Sequence, residues 1–247
     1  MSNRIFVVFP CYNEEEGLEK LLTRFVRIRK LSERDLQLVV VNDGSRDHTV
    51  AVARSFAGEI PMTIIDFPKN RGVAEVFNTA FARVLEQGDD NDIVVTIDSD
   101  NTMNPYVLID ILAALEHADV VIASRFVPGG GMVGAGWRAW LSHGAAWLMK
   151  LRVGLPGVSD YSIFYRGYRL AILSEVFRRH AGRPVEGAGF SCMANLLLRL
   201  HAAGARFAEV PLVLRYDLKE SGSAVRIFRT IGGYLRLAFR REESTGR

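Results

Sequence analysis

Short apolar runs alternate with amphipathic segments through the first half of the chain. Ile5 to Phe9 is an uninterrupted run closed by Pro10, which predicts a strand buried on both faces. Asn13 then stands where an N-cap is expected, and Glu14, Glu15 and Glu16 would fill a first turn that favours carboxylates. Leu18, Leu21, Leu22, Phe25 and Val26 follow at helical spacing and make one apolar face. The unit recurs. Leu38 to Val41 predicts a strand ending in Asn42-Asp43-Gly44-Ser45, with a helix after Asp47. Met62 to Ile65 predicts another strand, and Gly72 to Leu85 a helix with Val73, Val76, Phe77, Ala80, Phe81 and Val84 on its buried side. Ile93 to Ile97 predicts a strand that runs straight into Asp98. Asn104-Pro105 marks a helix start, because proline is pre-set for a first helical turn, and Val120 to Ala123 predicts the next strand.

This β-α-β-α order implies an α/β protein with a mostly parallel central sheet flanked by helices. Ligands in such sheets bind beyond the carboxyl ends of the strands. Here those ends carry Tyr12-Asn13-Glu14, Asn42-Asp43-Gly44 and Asp98-Ser99-Asp100.

The second half has a different texture. Gly129-Gly130-Gly131 opens a glycine-rich segment, and Trp137 to Val153 mixes tryptophans with Arg138, Lys150 and Arg152. Phe190 to His201 predicts a helix and Arg206 to Val210 a strand. Ser223 to Arg241 reads as a basic amphipathic C-terminal helix, with Ile227, Phe228, Ile231, Tyr234, Leu235 and Phe239 opposite most of its arginines. That composition suits a helix lying in a membrane interface. The expected organisation is therefore one domain over residues 1–222 and a basic helix and tail over 223–247.

Composition adds modest constraints. The 247 residues are 49% hydrophobic and 24% charged, ordinary values for a globular chain. Cys11 and Cys192 are far apart without a CxxC partner, so neither a disulfide framework nor a zinc site is expected, and a reducing compartment fits. Neither a signal peptide nor a membrane-spanning helix is expected from the hydropathy pattern. The net charge of +3 matters less than its crowding at Arg226, Arg229, Arg236, Arg240 and Arg241, which predicts an anionic surface near the tail. No nucleic-acid partner is expected. His48, His117, His143, His180 and His201 show no metal-ligand spacing.

Asp98 and Asp100 carry the clearest chemistry. Side chains two apart on an extended chain point the same way, so both carboxylates can face one hard cation, and such cations take oxygen ligands. A divalent ion there would stabilise the charge left on a departing phosphate. The tripeptide alone is weak evidence, since a solvated turn has the same composition.

Three ordered motifs give a resemblance. Phe9-Pro10-Cys11-Tyr12-Asn13-Glu14, Val41-Asn42-Asp43-Gly44-Ser45-Arg46-Asp47 and Asp98-Ser99-Asp100 together resemble the family 2 glycosyltransferases, within them the dolichol- or polyprenyl-phosphate mannosyltransferase branch. Lys69-Asn70-Arg71-Gly72, Ala123-Ser124-Arg125-Phe126, Ser159-Asp160 and Glu209-Val210-Pro211 extend the likeness over residues 5–225. The resemblance implies a GT-A fold and an inverting, metal-dependent glycosyltransferase with a nucleotide-sugar donor and a polyprenyl-phosphate-type acceptor. It implies that Pro10, Tyr12, Glu14 and Asp43 hold the nucleotide, that Asp98 and Asp100 act with Mg2+ or Mn2+, and that Arg215 and Lys219 close on the donor diphosphate. Arg125, Arg138 and Ser142 would bind the acceptor phosphate, where the planar guanidinium fork suits phosphate oxygens.

A lipid phosphate is already anionic and needs no base, whereas an alcohol acceptor would need one, and Asp160 is the candidate. The implied setting is cytoplasmic, peripheral on the cytoplasmic membrane face, with a possible membrane-protein partner. Several positions depart from the branch pattern: Thr102 where a glutamine often assists the metal, Asn78 where a glycine is common, and the Asp160 to Arg166 and Met193 to Asn195 segments. These leave two further readings open: transfer to a soluble alcohol acceptor, or nucleotide-diphosphate binding without transfer. A nucleotidyltransferase reading lacks its early glycine-rich loop.

Overall fold

The computed structural model describes residues 4–32, 34–136, 144, 149–187, 189 and 191–219. The tail helix expected over 223–241 lies outside them, as do Arg138, Ser142, Trp137, Trp140 and Trp147. The elements are β1 (Ile5–Cys11), α1 (Glu15–Ser32), β2 (Leu36–Asn42), α2 (Thr49–Ser55), β3 (Met62–Asp66), α3 (Val73–Gln87) and β4 (Ile93–Thr96). There follow α4 (Leu108–Ala114), β5 (Val120–Ser124), β6 (Gly131–Val133), β7 (Arg166–Arg169), α5 (Leu170–Arg179), α6 (Ser191–Ala202), β8 (Phe207–Pro211) and β9 (Val213–Arg215).

Among the described residues, seven strands form one sheet in the order β3-β2-β1-β4-β7-β5-β8. β1, β2, β3 and β4 pair in parallel, β5 pairs in parallel with β8, and β7 alone runs antiparallel, between β4 and β5. The chain lays β2 and β3 on one side of β1 and β4 on the other, so the direction of winding reverses between β1 and β4. A crevice opens where such a reversal occurs, beyond the carboxyl ends of the two strands. Ile5, Phe6, Val7, Val8 and Phe9 have no solvent exposure, as expected of a central strand covered on both faces. Phe9 meets Phe25 of α1 edge to face at 5.2 Å, and Phe77 of α3 meets Phe164 in the same manner at 5.4 Å.

Two features differ from the sequence expectation. Asn13 is not the cap of α1: its φ is 56°, its side chain accepts from Arg46 N at 2.9 Å, and the helix begins at Glu15, with Glu14 O accepting from Leu18 N. The turn is thereby tied to the β2 loop rather than to its own helix. The antiparallel β7 has no apolar periodicity, because its four residues are Arg166, Gly167, Tyr168 and Arg169. It exists through pairing with β4 and β5, and the Arg166 guanidinium is fully buried, donating to Met193 O and Tyr161 O at 2.9 Å each. A small second sheet pairs β6 with β9 in parallel. It leads into a 3-10 turn, Tyr216–Leu218, that ends at Lys219.

Candidate active site

A cleft lies at the reversal point, lined among others by Pro10, Tyr12, Glu14, Asp43, Asp98, Asp100 and Lys219. Seven residues singled out from the sequence thus converge from three strand ends and the chain beyond β9. The convergence follows from register. β1 and β2 run in step, with Pro10 beside Val41 and Cys11 beside Asn42. Asp43 N then donates to Cys11 O at 2.8 Å. Ile97 N continues the β4 pairing by donating to Val8 O at 3.1 Å, which delivers Asp98 next to the end of β1.

Within Asp98-Ser99-Asp100 the middle residue turns inward. Ser99 is 2% exposed, its Oγ donates to Pro10 O at 2.9 Å, and it lies 3.0 Å from Cys11 Sγ. The two aspartates flank it and face the cleft. Asp100 Oδ1 accepts from Thr102 N at 3.1 Å and from Thr102 Oγ1 at 2.6 Å, while its Oδ2 accepts from Lys219 Nζ at 2.7 Å. Thr102, which departs from the branch pattern, therefore orients Asp100. Burial first and the Asp100 charge second push the Asp98 carboxyl well above the ordinary carboxylate range, with Lys219 opposing. Burial works against the Lys219 ammonium, but the Asp100 carboxylate outweighs it and raises the lysine. The donor set fits a hard cation: carboxylate oxygens with too little positive charge around them, one already holding an ammonium as stand-in. Among the described residues no group of three or more His, Cys, Asp or Glu side chains forms a metal cage, so substrate oxygens or water would complete the shell.

Sequence reasoning missed Gly17. A Cβ placed there would lie 2.7 Å from Ser99 O and 2.9 Å from Asp100 Cα, so α1 presses its backbone onto the aspartate loop. No pattern in the sequence distinguishes this glycine from one that merely sits in a helix. We expect Gly17→Ala to lower stability by about 1–3 kcal/mol through overpacking. It should also weaken Mn2+ binding, because the methyl must displace Asp100. Urea unfolding and Mn2+ titration check both, and unchanged metal affinity would contradict the packing argument.

The other assigned residues divide. Asp43 is 5% exposed and spends Oδ1 on Arg71 N at 2.6 Å and Oδ2 on Gly72 N at 3.0 Å, holding the Lys69-Asn70-Arg71-Gly72 loop. Burial raises its carboxyl and these two N–H donors oppose the shift. Gly44, with φ 71°, lets the same loop approach, since a Cβ there would lie 2.5 Å from Lys69 C. Asn78 takes both the N and O of Val185 at 2.9 Å, which ties the chain after α5 to α3.

Arg125 and Asp160 are brought together away from the cleft lining. Asp160 has no exposed surface and pairs with Arg125 through Nε at 2.7 Å and Nη2 at 2.8 Å. It also accepts from the backbone N–H groups of Arg125, Ser162 and Ile163, and Glu209 Oε1 holds Ser159 N and Asp160 N at 2.8 and 2.9 Å. Burial alone would raise the Asp160 carboxyl, but the Arg125 guanidinium and these donors hold it below the ordinary range. A base must be exposed to its proton and keep affinity for it. The general-base role expected of Asp160 is therefore not supported by this geometry. The Arg215 guanidinium is likewise engaged, with Asp217 at 2.7 and 2.8 Å, and does not line the cleft.

Comparison with known proteins supplies the remaining evidence. The sequence model of glycosyl transferase family 2 matches residues 6–177. The chain is 30% identical to undecaprenyl-phosphate mannosyltransferase of Micrococcus luteus over 223 residues, 88% of this chain and 86% of that one. It is 27% identical over 241 residues to dolichol-phosphate mannosyltransferase of Pyrococcus furiosus, covering 96% of this chain but spanning 63% of the relative's length. A solved structure of glucosyl-3-phosphoglycerate synthase from Mycobacterium tuberculosis, in complex with Mn2+, uridine diphosphate and glucosyl-3-phosphoglycerate, shares the fold. Its TM-score is 0.64 at 21% identity, over 96% of this chain and 77% of that one.

Proposed function

The chain belongs to glycosyl transferase family 2 and has the GT-A fold, and from that premise we propose that it moves a sugar from a nucleotide-diphosphate donor to a polyprenyl-phosphate-type lipid, inverting the anomeric carbon. The donor side of this reading rests on one arrangement: Asp98 and Asp100 at the β1–β4 reversal point, facing Tyr12, Glu14 and Lys219 across one cleft. Pro10, Tyr12 and Glu14, which line the same cleft, are the residues proposed to hold the nucleoside, with Asp43 supporting them by holding the Arg71–Gly72 backbone. Asp98 and Asp100 would hold Mg2+ or Mn2+, which when bound supplies positive charge to the departing diphosphate. Lys219 adds a further positive charge on the same side.

The fate of Asp160 favours a phosphate acceptor. A phosphate monoester carries its second negative charge above about pH 6 and attacks without a base. An alcohol needs one, and the candidate base is locked onto Arg125. The acceptor-phosphate role expected of Arg125 is not favoured by the same geometry, since its guanidinium is 5% exposed and engaged by Asp160 away from the cleft, and Arg138 and Ser142, assigned with it, lie outside the described residues. The names of the Micrococcus and Pyrococcus relatives support the same acceptor class. No helix among the described residues is long and apolar enough to cross a membrane. The basic tail over 223–247 is the segment proposed to hold the enzyme on the cytoplasmic membrane face.

A thermal-shift panel of nucleoside diphosphates with Mn2+, followed by radiolabelled transfer to undecaprenyl phosphate, tests the proposal. A matching nucleotide at a hundred times its dissociation constant should stabilise by about 2.7 kcal/mol. If no nucleoside diphosphate stabilises the protein, the donor assignment fails. If product forms without any lipid phosphate, the acceptor assignment fails.

A further inference from the structure

The cation that neutralises Asp100 in this fold comes from the chain itself. Lys219 Nζ lies 2.7 Å from Asp100 Oδ2, and Asp98 and Glu14 line the same cleft. The geometry points to Lys219 as a surrogate cation: without ligands its ammonium takes the cation-facing oxygen of Asp100, and on donor binding it gives way to the divalent ion and turns to the diphosphate. The inference rests on the donor-site reading above.

The contacts around Asp100 decide which oxygen is in play. Thr102 holds Oδ1 through both its N–H and its hydroxyl, so Oδ2 is the oxygen turned toward the cleft. A divalent ion reaching Oδ2 must meet Nζ, and two cations at contact distance from one oxygen repel strongly. One of them leaves. The lysine is free to do so because its segment is anchored elsewhere. Arg215 N donates to Thr102 O at 2.9 Å, Lys219 N donates to Tyr216 O at 3.2 Å, and Gly134 packs so closely that a Cβ there would lie 2.9 Å from Asp217 N. These contacts keep the backbone in place when the side chain swings.

Exchange needs no unfolding, since the lysine side chain is 22% exposed and the aspartate 13%. A compact ammonium on a flexible four-carbon stem is suited to pairing with either carboxylate or phosphate by changing rotamer. The diphosphate that accompanies the ion offers the displaced ammonium a new anionic partner. Metal and nucleotide binding therefore become mutually favourable. The ion competes with Lys219 when it arrives alone and does not when it arrives with the donor. Ligand-free enzyme would then hold little divalent ion.

The test is binding, measured on the whole chain by isothermal titration calorimetry and by the free Mn2+ signal in electron paramagnetic resonance. Lys219→Met should bind Mn2+ alone about tenfold more tightly than the unaltered protein, within the usual range of coupling between exclusive ligands. In saturating Mn2+ the same variant should bind the nucleoside diphosphate, UDP or GDP, about tenfold more weakly. Opposite signs separate this mechanism from general damage to the site, which weakens both. Lys219→Arg, which keeps the charge, should restore weak binding of Mn2+ alone, and Lys219→Gln serves if the methionine variant does not fold. Unchanged or weaker affinity for Mn2+ alone in a folded, uncharged variant overturns the inference, even if Mn2+ and nucleotide bind normally to the unaltered protein. Failure of Mn2+ to bind any form, with or without nucleotide, overturns it together with the metal assignment.

Discussion

Asp100→Asn is expected to cut sugar transfer by about a hundred- to a thousandfold, the usual cost of removing one well-placed electrostatic stabiliser of a developing charge. The amide keeps an oxygen for the two Thr102 donors and removes the negative charge facing Lys219 and the cleft. Stability should change less than on breaking a fully buried pair, which costs about 3–5 kcal/mol, because the side chains of this pair keep 22% and 13% of their exposure. Losing the pair is also offset by relief of the repulsion that raises Asp98. Steady-state kinetics against Mn2+ concentration and a thermal melt of the same preparation measure the two effects. Near-normal kcat with intact Mn2+ dependence would remove Asp100 from the metal site.

Asp160→Ala should do the reverse, costing about 3–5 kcal/mol of stability because it leaves the Arg125 guanidinium buried without its carboxylate. The Arg125 side chain is 5% exposed and Asp160 not at all, so water cannot replace the lost partner. The double change Arg125→Met with Asp160→Leu should recover most of that loss, since two apolar side chains leave no buried charge behind. The pair also sets a pH dependence. Because the folded-state carboxyl of Asp160 lies below its unfolded value, its contribution is present above the unfolded value and is lost as pH falls through the folded one. Urea unfolding from neutral to acid pH should show the unaltered protein losing stability in that window and the double variant losing less. A loss under about 1 kcal/mol in Asp160→Ala would show that the pair is not the buried anchor described.

Both results bear on which side chains a sequence can place. The strand exits at Tyr12, Asp43 and Asp98 were legible because short apolar runs and turn residues are local signals, and the cleft opens where those exits meet. Asn13 has the local form of a cap, an Asn before a glutamate-rich helix, but its side chain's partner, Arg46, is 33 residues away. Asp160 followed a family motif and looked like a free carboxylate. Nothing near it in the chain announces Arg125, 35 residues earlier, or Glu209 beneath its backbone.

Contiguous residues thus determined the alternating strands and helices, the parallel character of most of the sheet, the family and the acidic character of the donor site. Periodicity, turn chemistry and ordered motifs are properties of neighbours along the chain. Only the tertiary structure decided that β7 enters the sheet antiparallel, that Gly17 presses on the aspartate loop, and that Lys219 reaches back 119 residues to Asp100. Those outcomes depend on pairing and charge compensation between distant segments. The free energy of a buried or half-buried charge is set by whatever surrounds it in space, whatever its place in the chain.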